Sequence, residues 1–303
     1  MKIGVIGTGA VGGYFGGKLV QAGLDVTFIA RGETLRQLQD NGLKILSYKG
    51  DFEVKKPKVT SDLRALNDVD VVLLCVKSYS TKEVAKTLKT YLPDKAIIVS
   101  MQNGIENEDI LSEILGKDKV VGSVVFITAG IKSPGVISHT GYGKVIFGEL
   151  NGQLSDRIRN LEKVFIDAGI PAGVTQTLKT ELWSKLMLNI PYNGFTALVR
   201  GPLANYQEIA EAQECFLRAL KEVQLVAKHE GIIIGEEAVE NAMKFTKNDK
   251  FGTFKSSTLL DVEAGKQLEI EALQGAVIRA AKKHNLDIPI NKLLYSLLKM
   301  SYK

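Results

Sequence analysis

The sequence predicts an α/β fold, with a Rossmann-type, doubly wound sheet in the N-terminal half and helices alone in the C-terminal half. Three observations support this prediction. Short β-branched runs alternate with helical stretches from residue 1 to about residue 150, a glycine-rich turn directly follows the first run, and the pattern beyond about residue 177 is mostly helical. Such alternation is typical of a parallel sheet covered by helices on both faces.

The predicted strands are the runs KIGVIG, DVTFIA, VDVVLLCV, AIIVSM, VVGSVVFIT and the pair VISHTG and GKVIFGE. The early runs are almost continuously apolar, as expected for parallel strands that are buried on both faces. Helical stretches lie between them, notably at residues 11–22 and 80–91. The last pair, around Gly141-Tyr142-Gly143, predicts an antiparallel hairpin that closes the edge of the sheet.

A turn-rich segment at residues 167–174 precedes the change of pattern. Beyond it, the predicted helices cover residues 180–199, 207–230, 236–248, about 254–284 and 290–302. We therefore place a Rossmann-type nucleotide-binding domain at residues 1–175 and a helical domain at residues 176–303. In such folds a ligand binds beyond the carboxyl ends of the strands, so we expect it in the cleft between the two domains.

The composition is that of an ordinary soluble globular protein: 303 residues, 45% hydrophobic, 24% charged, with a formal net charge of +5. The lysines are scattered, which argues against nucleic-acid binding. No apolar run approaches the ~18 residues of a membrane span. A strand pattern begins within two residues of the start, which predicts no signal peptide. The two cysteines are too few for a disulfide scaffold, and Cys75 lies within a strand, so we expect a cytoplasmic protein.

The glycine-rich turn reads Gly7-Thr8-Gly9-Ala10-Val11-Gly12, with a strand before it and a helix after it. This context makes G-x-G-x-x-G a dinucleotide-binding fingerprint. Gly7 would allow the tight turn, Gly9 would let the backbone approach the pyrophosphate, and Gly12 would allow close packing of helix and strand. The phosphates would then be held by the amino end of the helix. The alternative is a glycine-rich turn without a ligand.

The end of the second strand reads Phe28-Ile29-Ala30-Arg31 and carries no carboxylate. NAD-binding enzymes usually place Asp or Glu there to bind the ribose 2′-hydroxyl, whereas a guanidinium suits the 2′-phosphate of NADP. The sequence therefore favours NADPH over NADH. A surface arginine that merely follows a strand is the alternative.

Two further loops follow predicted strands, at Lys77 and at Asn103-Gly104. Both belong beside the cofactor in this fold. Lys77 could reach a cofactor phosphate or ribose, and Asn103 could orient the nicotinamide or the substrate. Either residue alone is equally typical of an ordinary loop.

A polar stripe is predicted on the first helix of the C-terminal half. Lys185, Asn189 and Asn193 recur at intervals of four residues in a stretch that is apolar elsewhere, so one helix face carries all three. One ammonium and two amides suit a small oxygenated molecule. Pro191 lacks an N–H, so a kink with the Met187 carbonyl released is expected there.

The same stretch resembles the hallmark helix of the ketopantoate reductase family through Trp183-x-Lys185-x-x-x-Asn189-x-x-x-Asn193. Downstream, Ser256-Ser257-x-x-x-Asp261 and Glu269-Ile270-Glu271-x-Leu273-x-Gly275 are also similar to the family. So are the two loops above and the segment Ser133-Pro134-Gly135…His139…Gly141-x-Gly143…Gly148-Glu149. The resemblance covers the chain from Met1 to about Leu297.

This resemblance implies a reaction and a role for each matching residue. Lys185 would be the general acid that protonates a ketone as hydride arrives from NADPH, with Glu269 near Lys185 and the nicotinamide ribose. Ser257 would hold the substrate carboxylate, and Asn189 and Asn193 would contact its hydroxyl and carboxylate groups. An ammonium is suited to stabilising the developing alkoxide charge.

Two positions depart from the pattern of the family, because some members carry asparagine where this chain has Phe254 and Leu203. Reduction of 2-dehydropantoate, a step of pantothenate synthesis, is the leading expectation. A related 2-oxo acid or imine reductase and an NADPH-binding redox sensor without turnover are the alternatives. No metal is expected, since the three histidines are isolated in sequence. A homodimer is compatible with the sequence, but no heptad identifies its interface.

Overall fold

The computed structural model describes residues 1–248 and 251–302, with only the backbone of Phe251. The chain divides into two units, Met1–Leu178 and a second unit that begins at Lys179. The first carries the sheet and the second is built from helices, which confirms the predicted α/β class. No helix among the described residues has both the length and the apolarity needed to cross a bilayer.

The described part of the first unit has ten strands in one sheet. Their order is β4-β3-β9-β8-β7-β6-β1-β2-β5, and β10 pairs with β9. The strands are β1 (Lys2–Ile6), β2 (Asp25–Ile29), β3 (Leu43–Ser47), β4 (Phe52–Val54), β5 (Lys58–Thr60), β6 (Val71–Leu74), β7 (Ile97–Ser100), β8 (Val120–Ser133), β9 (Val136–Glu149) and β10 (Ala172–Thr175). In the part of the sheet with the order β8-β7-β6-β1-β2-β5, every pair of neighbouring strands is parallel.

Each helix of the first unit connects two strands of the sheet. They are α1 (Ala10–Gln21), α2 (Gly32–Asn41), α3 (Thr81–Tyr91), α4 (Asn107–Leu115) and α5 (Asp156–Asp167). Short 3₁₀ turns span Leu63–Leu66, Ser78–Ser80 and Lys117–Lys119.

Both faces of the sheet are covered by apolar side chains. In β6, Val71 and Leu73 belong to one buried cluster, while Val72 and Leu74 belong to another. Since successive side chains of a strand point to opposite faces, the two clusters lie on the two sides of the sheet. This arrangement explains why the central runs are apolar at every position.

The second unit contains α6 (Leu178–Val199, which starts at the division), α7 (Ala210–His229), α8 (Glu236–Thr246), α9 (Ser257–Glu263), α10 (Ala276–Lys283) and α11 (Pro289–Ser301). Two 3₁₀ turns span Tyr206–Glu208 and Phe251–Thr253, and a π-helical turn spans Glu271–Gly275. Part of its core joins Ala197 of α6 to Leu298 of α11 through Leu268 and Ile270.

The predicted hairpin around Gly141-Tyr142-Gly143 is wrong in two respects. The antiparallel pair is β8 with β9, and the chain reverses between Ser133 and Val136, while residues 141–143 are an irregularity within β9. Tyr142 and Gly143 have positive φ angles of 59° and 92° there, as at a bulge. Nor does the pair close the sheet, because β3 and β10 both pair with β9.

Two other expectations are corrected. Residues 172–174 of the predicted turn-rich segment belong to β10. The helix predicted at about 254–284 is broken, since α9 ends at Glu263 and Gly265 has a φ of +61°. The amides of Gly265 and Lys266 donate to Val262 O and Asp261 O, at 3.1 and 2.9 Å. A glycine in the left-handed region closes the helix at this point.

Candidate functional site

In the first unit, the predicted cofactor residues follow four adjacent strands. In the order β7-β6-β1-β2, these strands are parallel, so their carboxyl ends share one edge of the sheet. Asn103 follows β7, Lys77 follows β6, the glycine turn follows β1 and Arg31 follows β2. This is the edge at which doubly wound folds bind their ligands.

The three glycines of the turn differ in their surroundings. Gly7 has a φ of +93°, and a Cβ there would lie 2.8 Å from the backbone of Cys75 and Val76. At Gly12 a Cβ would lie 2.2 Å from the Gly7 carbonyl oxygen. At Gly9 it would meet nothing within 4 Å. The turn and the packing thus require Gly7 and Gly12, while Gly9 leaves open space beside the backbone.

A cavity of about 270 Å³ opens at this turn. Its lining includes four residues that the sequence predicted for cofactor binding, Gly7, Thr8, Gly9 and Arg31. The remaining lining residues are Ile6, Ile29, Ala30, Thr34, Leu63, Val76, Ser80, Glu83, Val84 and Ile131. The predicted residues Ala10, Val11 and Gly12 form the first turn of α1 and do not line this cavity.

The electrostatics of the cavity fit an anionic group. Gly9 is the N-cap of α1, whose first turn contains no acidic residue, and the amino end of a helix attracts anions. Arg31 is exposed and makes no ion pair within the described part of the chain. Its guanidinium can bind a phosphate with two parallel hydrogen bonds. The residues present therefore fit a dinucleotide with a phosphorylated adenosine ribose.

The Lys77 and Asn103 loops contact each other. Lys77 is the N-cap of the 3₁₀ turn Ser78–Ser80, and the Ser78 hydroxyl donates to the Asn103 carbonyl at 3.1 Å. Lys77 and Asn103 are both partly buried. Neither lines the cavity, but Val76 and Ser80 on the two sides of Lys77 do.

In the second unit, α6 carries the predicted polar stripe. The helix continues from Leu178 to Val199 through Pro191, so the four-residue spacing puts Lys185, Asn189 and Asn193 on one face. Lys185 and Asn189 are partly buried, and Asn193 is 3% exposed. Hydrophobic side chains of α6 are buried around them, as at Leu186 and Ile190.

Ser257 is exposed and is the first residue of α9. The segment before it is fixed to α6 at two points. The Tyr192 hydroxyl donates to the Phe254 carbonyl at 2.9 Å, and the Thr196 and Ser256 hydroxyl oxygens are 2.6 Å apart. Ser256 also caps α9, because its hydroxyl accepts from Leu259 N at 3.1 Å. The amino end of α9 is thereby held against the helix that carries the stripe.

Glu269 is 9% exposed and lies just before the π-helical turn. Its carbonyl oxygen accepts from the amides of Ala272 and Leu273, and the turn closes with Gly275 N donating to Ile270 O at 2.8 Å. π-Helical turns are rare in proteins, and those that occur often lie at functional sites. The turn fixes the backbone on which the Glu269 carboxylate stands.

Several residues at these sites were not predicted from the sequence. Thr34, Glu83 and Ile131 line the cavity, while Tyr192 and Thr196 hold the Ser257 segment. Ser256 was named only as part of the family resemblance, although a serine at the start of a helical pattern is also a common N-cap. The others depend on contacts between distant segments.

Burial raises the pKa of the Cys75 thiol, at the end of β6, to about 12. Cys75 is therefore a neutral packing residue at neutral pH. Within residues 1–248 and 251–302, no group of three or more His, Cys, Asp or Glu side chains could hold a metal ion.

Family models match both parts of the chain. Residues 3–152 match the model described as "Ketopantoate reductase PanE/ApbA", and residues 177–302 match its C-terminal counterpart. The 2-dehydropantoate 2-reductase of Halobacterium salinarum is 29% identical, over 100% of this chain and 99% of that protein. The uncharacterized oxidoreductase YkpB of Bacillus subtilis is 30% identical, over 99% and 98%.

Solved structures share the fold over nearly the whole length. A 2-dehydropantoate 2-reductase from Geobacter metallireducens matches with a TM-score of 0.94 and 29% identity, covering 99% of this chain and 100% of that one. The dimeric ketopantoate reductase of Staphylococcus aureus matches at 0.82 and 25%, covering 99% and 98%. D-mandelate dehydrogenase, solved with NADH and anilino(oxo)acetate, matches at 0.91 but at 23% identity, covering 99% and 98%.

Proposed function

The chain belongs to the ketopantoate reductase PanE/ApbA family of oxidoreductases, and we propose that it reduces 2-dehydropantoate to pantoate with NADPH. The observation that carries this proposal is the stripe on α6. A partly buried Lys185 is followed at helical spacing by two amides, within a stretch of α6 that is mostly apolar. A proton donor beside neutral hydrogen-bonding groups is what reduction of a small hydroxylated 2-oxo acid requires.

Support for NADPH as the cofactor comes from the first unit. The open space at Gly9, the amino end of α1 and the exposed guanidinium of Arg31 would hold the pyrophosphate and the 2′-phosphate. Lys77 and Asn103, with Thr8, Ala10, Val11 and the other turn residues, would complete the binding site. When bound, the nicotinamide supplies the hydride that adds to the ketone carbon.

Lys185 would supply the proton in this reaction. Its ammonium would donate a hydrogen bond to the ketone oxygen, and the proton would pass from Nζ to that oxygen as the carbon–oxygen double bond becomes single. The product is a hydroxyl group, and the lysine is left as a neutral amine that regains its proton from solvent. A positive donor lowers the barrier because negative charge develops on this oxygen in the transition state.

The other residues would bind and orient the substrate. The Asn189 and Asn193 amides can donate to and accept from its hydroxyl and carboxylate groups, and the Ser257 hydroxyl can donate to the carboxylate. Glu269 would orient Lys185 and the nicotinamide ribose by accepting hydrogen bonds. The capping contacts of Ser256 and the π-helical turn support this proposal, since they fix the backbone at Ser257 and Glu269.

The test is a spectrophotometric assay of NADPH oxidation with 2-dehydropantoate and with a panel of other 2-oxo acids. Efficient turnover of 2-dehydropantoate, with pantoate identified as the product, is the expected result. NADPH binding without oxidation by any ketone would overturn the proposal in favour of a cofactor-binding sensor.

A reductase for another 2-oxo acid is the second candidate. Leu203 is 8% exposed and apolar, and Phe254 stands on the segment fixed to Tyr192, at two positions where some family members carry asparagine. The fold is also shared with D-mandelate dehydrogenase. In this case the panel would show turnover of a more apolar 2-oxo acid and little of 2-dehydropantoate.

We also propose that the protein is a homodimer, because the related enzyme of Staphylococcus aureus is dimeric. Sedimentation velocity at micromolar concentration is expected to give twice the mass of one 33.1 kDa chain. A species of single-chain mass under these conditions would contradict the dimer.

A further inference from the structure

We propose that Thr81 and Asn107 are positioning residues for the Asn103 loop, acting through a buried chain of hydrogen bonds that runs from the end of β6 to the Asn103 carbonyl. This inference rests on the proposed function, in which Asn103 orients the nicotinamide or the substrate. Neither Thr81 nor Asn107 belongs to the glycine turn, the cavity lining or the α6 stripe.

The chain of hydrogen bonds has four links. The Gln102 side-chain amide donates to the Val76 carbonyl at 2.9 Å and to the Thr81 hydroxyl at 2.8 Å. The Thr81 hydroxyl donates to Asn107 Oδ1 at 3.0 Å. Asn107 Nδ2 donates to the Asn103 carbonyl at 2.8 Å. The chain thus starts behind the Lys77 loop and ends on the Asn103 loop.

The two carbonyl groups at the ends of this chain of hydrogen bonds decide which atom donates in each bond. Val76 O and Asn103 O are backbone carbonyls and can only accept, so Gln102 Nε2 and Asn107 Nδ2 must be the donors. Asn107 Oδ1 therefore faces Thr81, and the hydroxyl must donate to it while accepting from Gln102. Only a hydroxyl at residue 81 and a carboxamide at residue 107 satisfy all these bonds.

Burial makes this chain of hydrogen bonds rigid. Thr81 is 0%, Asn107 2% and Gln102 5% exposed. Water cannot replace a lost partner without opening this region, so each polar group is left unsatisfied if its neighbour is removed. Thr81 and Asn107 are also the first residues of α3 and α4, the helices that follow the two loops. The chain therefore fixes both loops to the starts of these helices.

The Asn103 carbonyl receives a second bond, from the Ser78 hydroxyl at 3.1 Å. The Asn103 carbonyl oxygen thus connects Asn107, at the start of α4, to Ser78 of the Lys77 loop. Displacement of this carbonyl would move the Asn103 side chain, which stands on the same residue. A shift of about 1 Å in a group that orients reactants can lower the rate ~100-fold.

The test uses Thr81→Val, which keeps the shape of the side chain but removes the hydroxyl. We expect kcat to fall about tenfold or more, while the KM for NADPH changes less than about threefold. Thr81→Ser restores the hydroxyl and should keep kcat within about twofold of wild type. Thr87→Val is the matched control, because Thr87 is an exposed threonine of the same helix that donates to its own helix, at Glu83 O.

A double-mutant cycle separates positioning from general destabilisation. In an Asn103→Ala background, Thr81→Val should lower kcat by less than about twofold, because the group that it positions is already absent. An equal loss in both backgrounds, or an unchanged kcat in the single variant, would overturn the proposal. If Thr81→Val fails to fold, Asn107→Asp replaces it, since this change keeps the acceptor for Thr81, removes the donor to Asn103 and sets a carboxylate oxygen against that carbonyl, so kcat should fall likewise.

Hydrogen exchange tests this chain of hydrogen bonds independently of turnover. The amides of residues 103–106 should exchange faster in Thr81→Val than in Thr87→Val, since the loop loses its attachment. Equal exchange in the two variants would show that the hydrogen bonds of Thr81 do not hold the Asn103 loop. If the wild-type protein reduces no ketone, the proposed function fails, whereas the exchange result still decides whether Thr81 and Asn107 hold the loop.

Discussion

In the proposed cofactor site, Arg31 would bind the 2′-phosphate, the group by which NADPH differs from NADH. It follows β2, lines the cavity and is exposed. Arg31→Ala should raise the KM for NADPH about tenfold or more and change that for NADH little, because only NADPH carries the 2′-phosphate. Initial-rate kinetics with both cofactors measure this difference.

Arg36→Ala is the matched control, because Arg36 is an exposed arginine of α2, the helix that begins after Arg31, pairs with Glu33 and lies outside the cavity. It should leave both KM values within about twofold of wild type. An equal loss for NADPH and NADH in Arg31→Ala would contradict the phosphate contact.

Lys185 carries the proton transfer in the proposed reaction. Lys185→Ala should lower kcat ~100-fold or more while leaving the affinity for NADPH nearly unchanged, because a general acid acts in the chemical step. Steady-state kinetics and fluorescence titration of NADPH measure the two quantities. Lys179→Ala, an exposed lysine at the start of the same helix, provides the control. Normal turnover in Lys185→Ala would exclude the acid role.

At the scale of single residues, the sequence predicted best those positions whose role depends on near neighbours. Gly7, Gly9 and Gly12 have the surroundings that the spacing of the motif implied. The contact between Thr81 and Asn107 could not be predicted, since 26 residues separate them. A buried threonine and a buried asparagine have no local pattern that distinguishes them from ordinary helix starts.

Among the elements, α11 depends on a carboxylate from another helix for its start. Glu222 of α7 is 7% exposed, and its carboxylate accepts from Ile290 N, Asn291 N and Asn291 Nδ2 at 2.8 to 3.0 Å. Glu222→Ala would leave buried donors unsatisfied and should lower the free energy of unfolding of the second unit by about 2 kcal/mol. Urea denaturation followed by tryptophan fluorescence reports on this unit, which contains Trp183.

Glu214→Ala is the control for this change, because Glu214 is an exposed glutamate of the same helix. Its effect should stay within about 0.5 kcal/mol. If the two variants unfold at the same urea concentration, the carboxylate does not stabilise α11.

Central strands could be predicted from the sequence, and peripheral ones could not. The apolar runs of β1, β6 and β7 are buried on both faces, which gives a strong signal. β4 and β5 have only three residues each, and all four residues of β10 are only partly buried, so these strands lack such a run. The break after α9 escaped prediction because Gly265 was the only local sign of it.

For the whole molecule, the order of elements along the sequence was enough to predict the class of fold. The order of the strands in the ten-stranded sheet was not predictable, because it depends on pairing between strands that are far apart in the sequence. Strands β3 and β9 pair in parallel although 92 residues separate Ser47 from His139. This pairing buries His139, which the sequence analysis treated as an isolated histidine. His139 is 1% exposed, and its Nδ1 lies 2.9 Å from the Ser47 hydroxyl.

The burial of His139 gives the protein a pH-dependent stability. Burial lowers the pKa of His139 from its ordinary value of 6.5, and Lys49 and Lys18 lower it further, against the opposing effect of the Gly141 and Tyr142 backbone. Tyr14 and Tyr48 pack against its ring. The folded protein therefore favours neutral His139, whereas the unfolded chain binds a proton once the pH falls below about 6.5. Stability is complete above this value and decreases as the pH falls through it.

Urea midpoints measured between about pH 7.5 and about pH 5.5 test this dependence, above the range in which carboxylates titrate. The midpoint of the wild-type protein should fall across this interval. His139→Gln, which can still bond to Ser47, should have a lower midpoint at high pH but a flatter profile. His229→Gln removes an exposed histidine at the end of α7 and should keep the wild-type slope. If His139→Gln retains that slope as well, the acid sensitivity arises from other groups and burial of neutral His139 does not account for it.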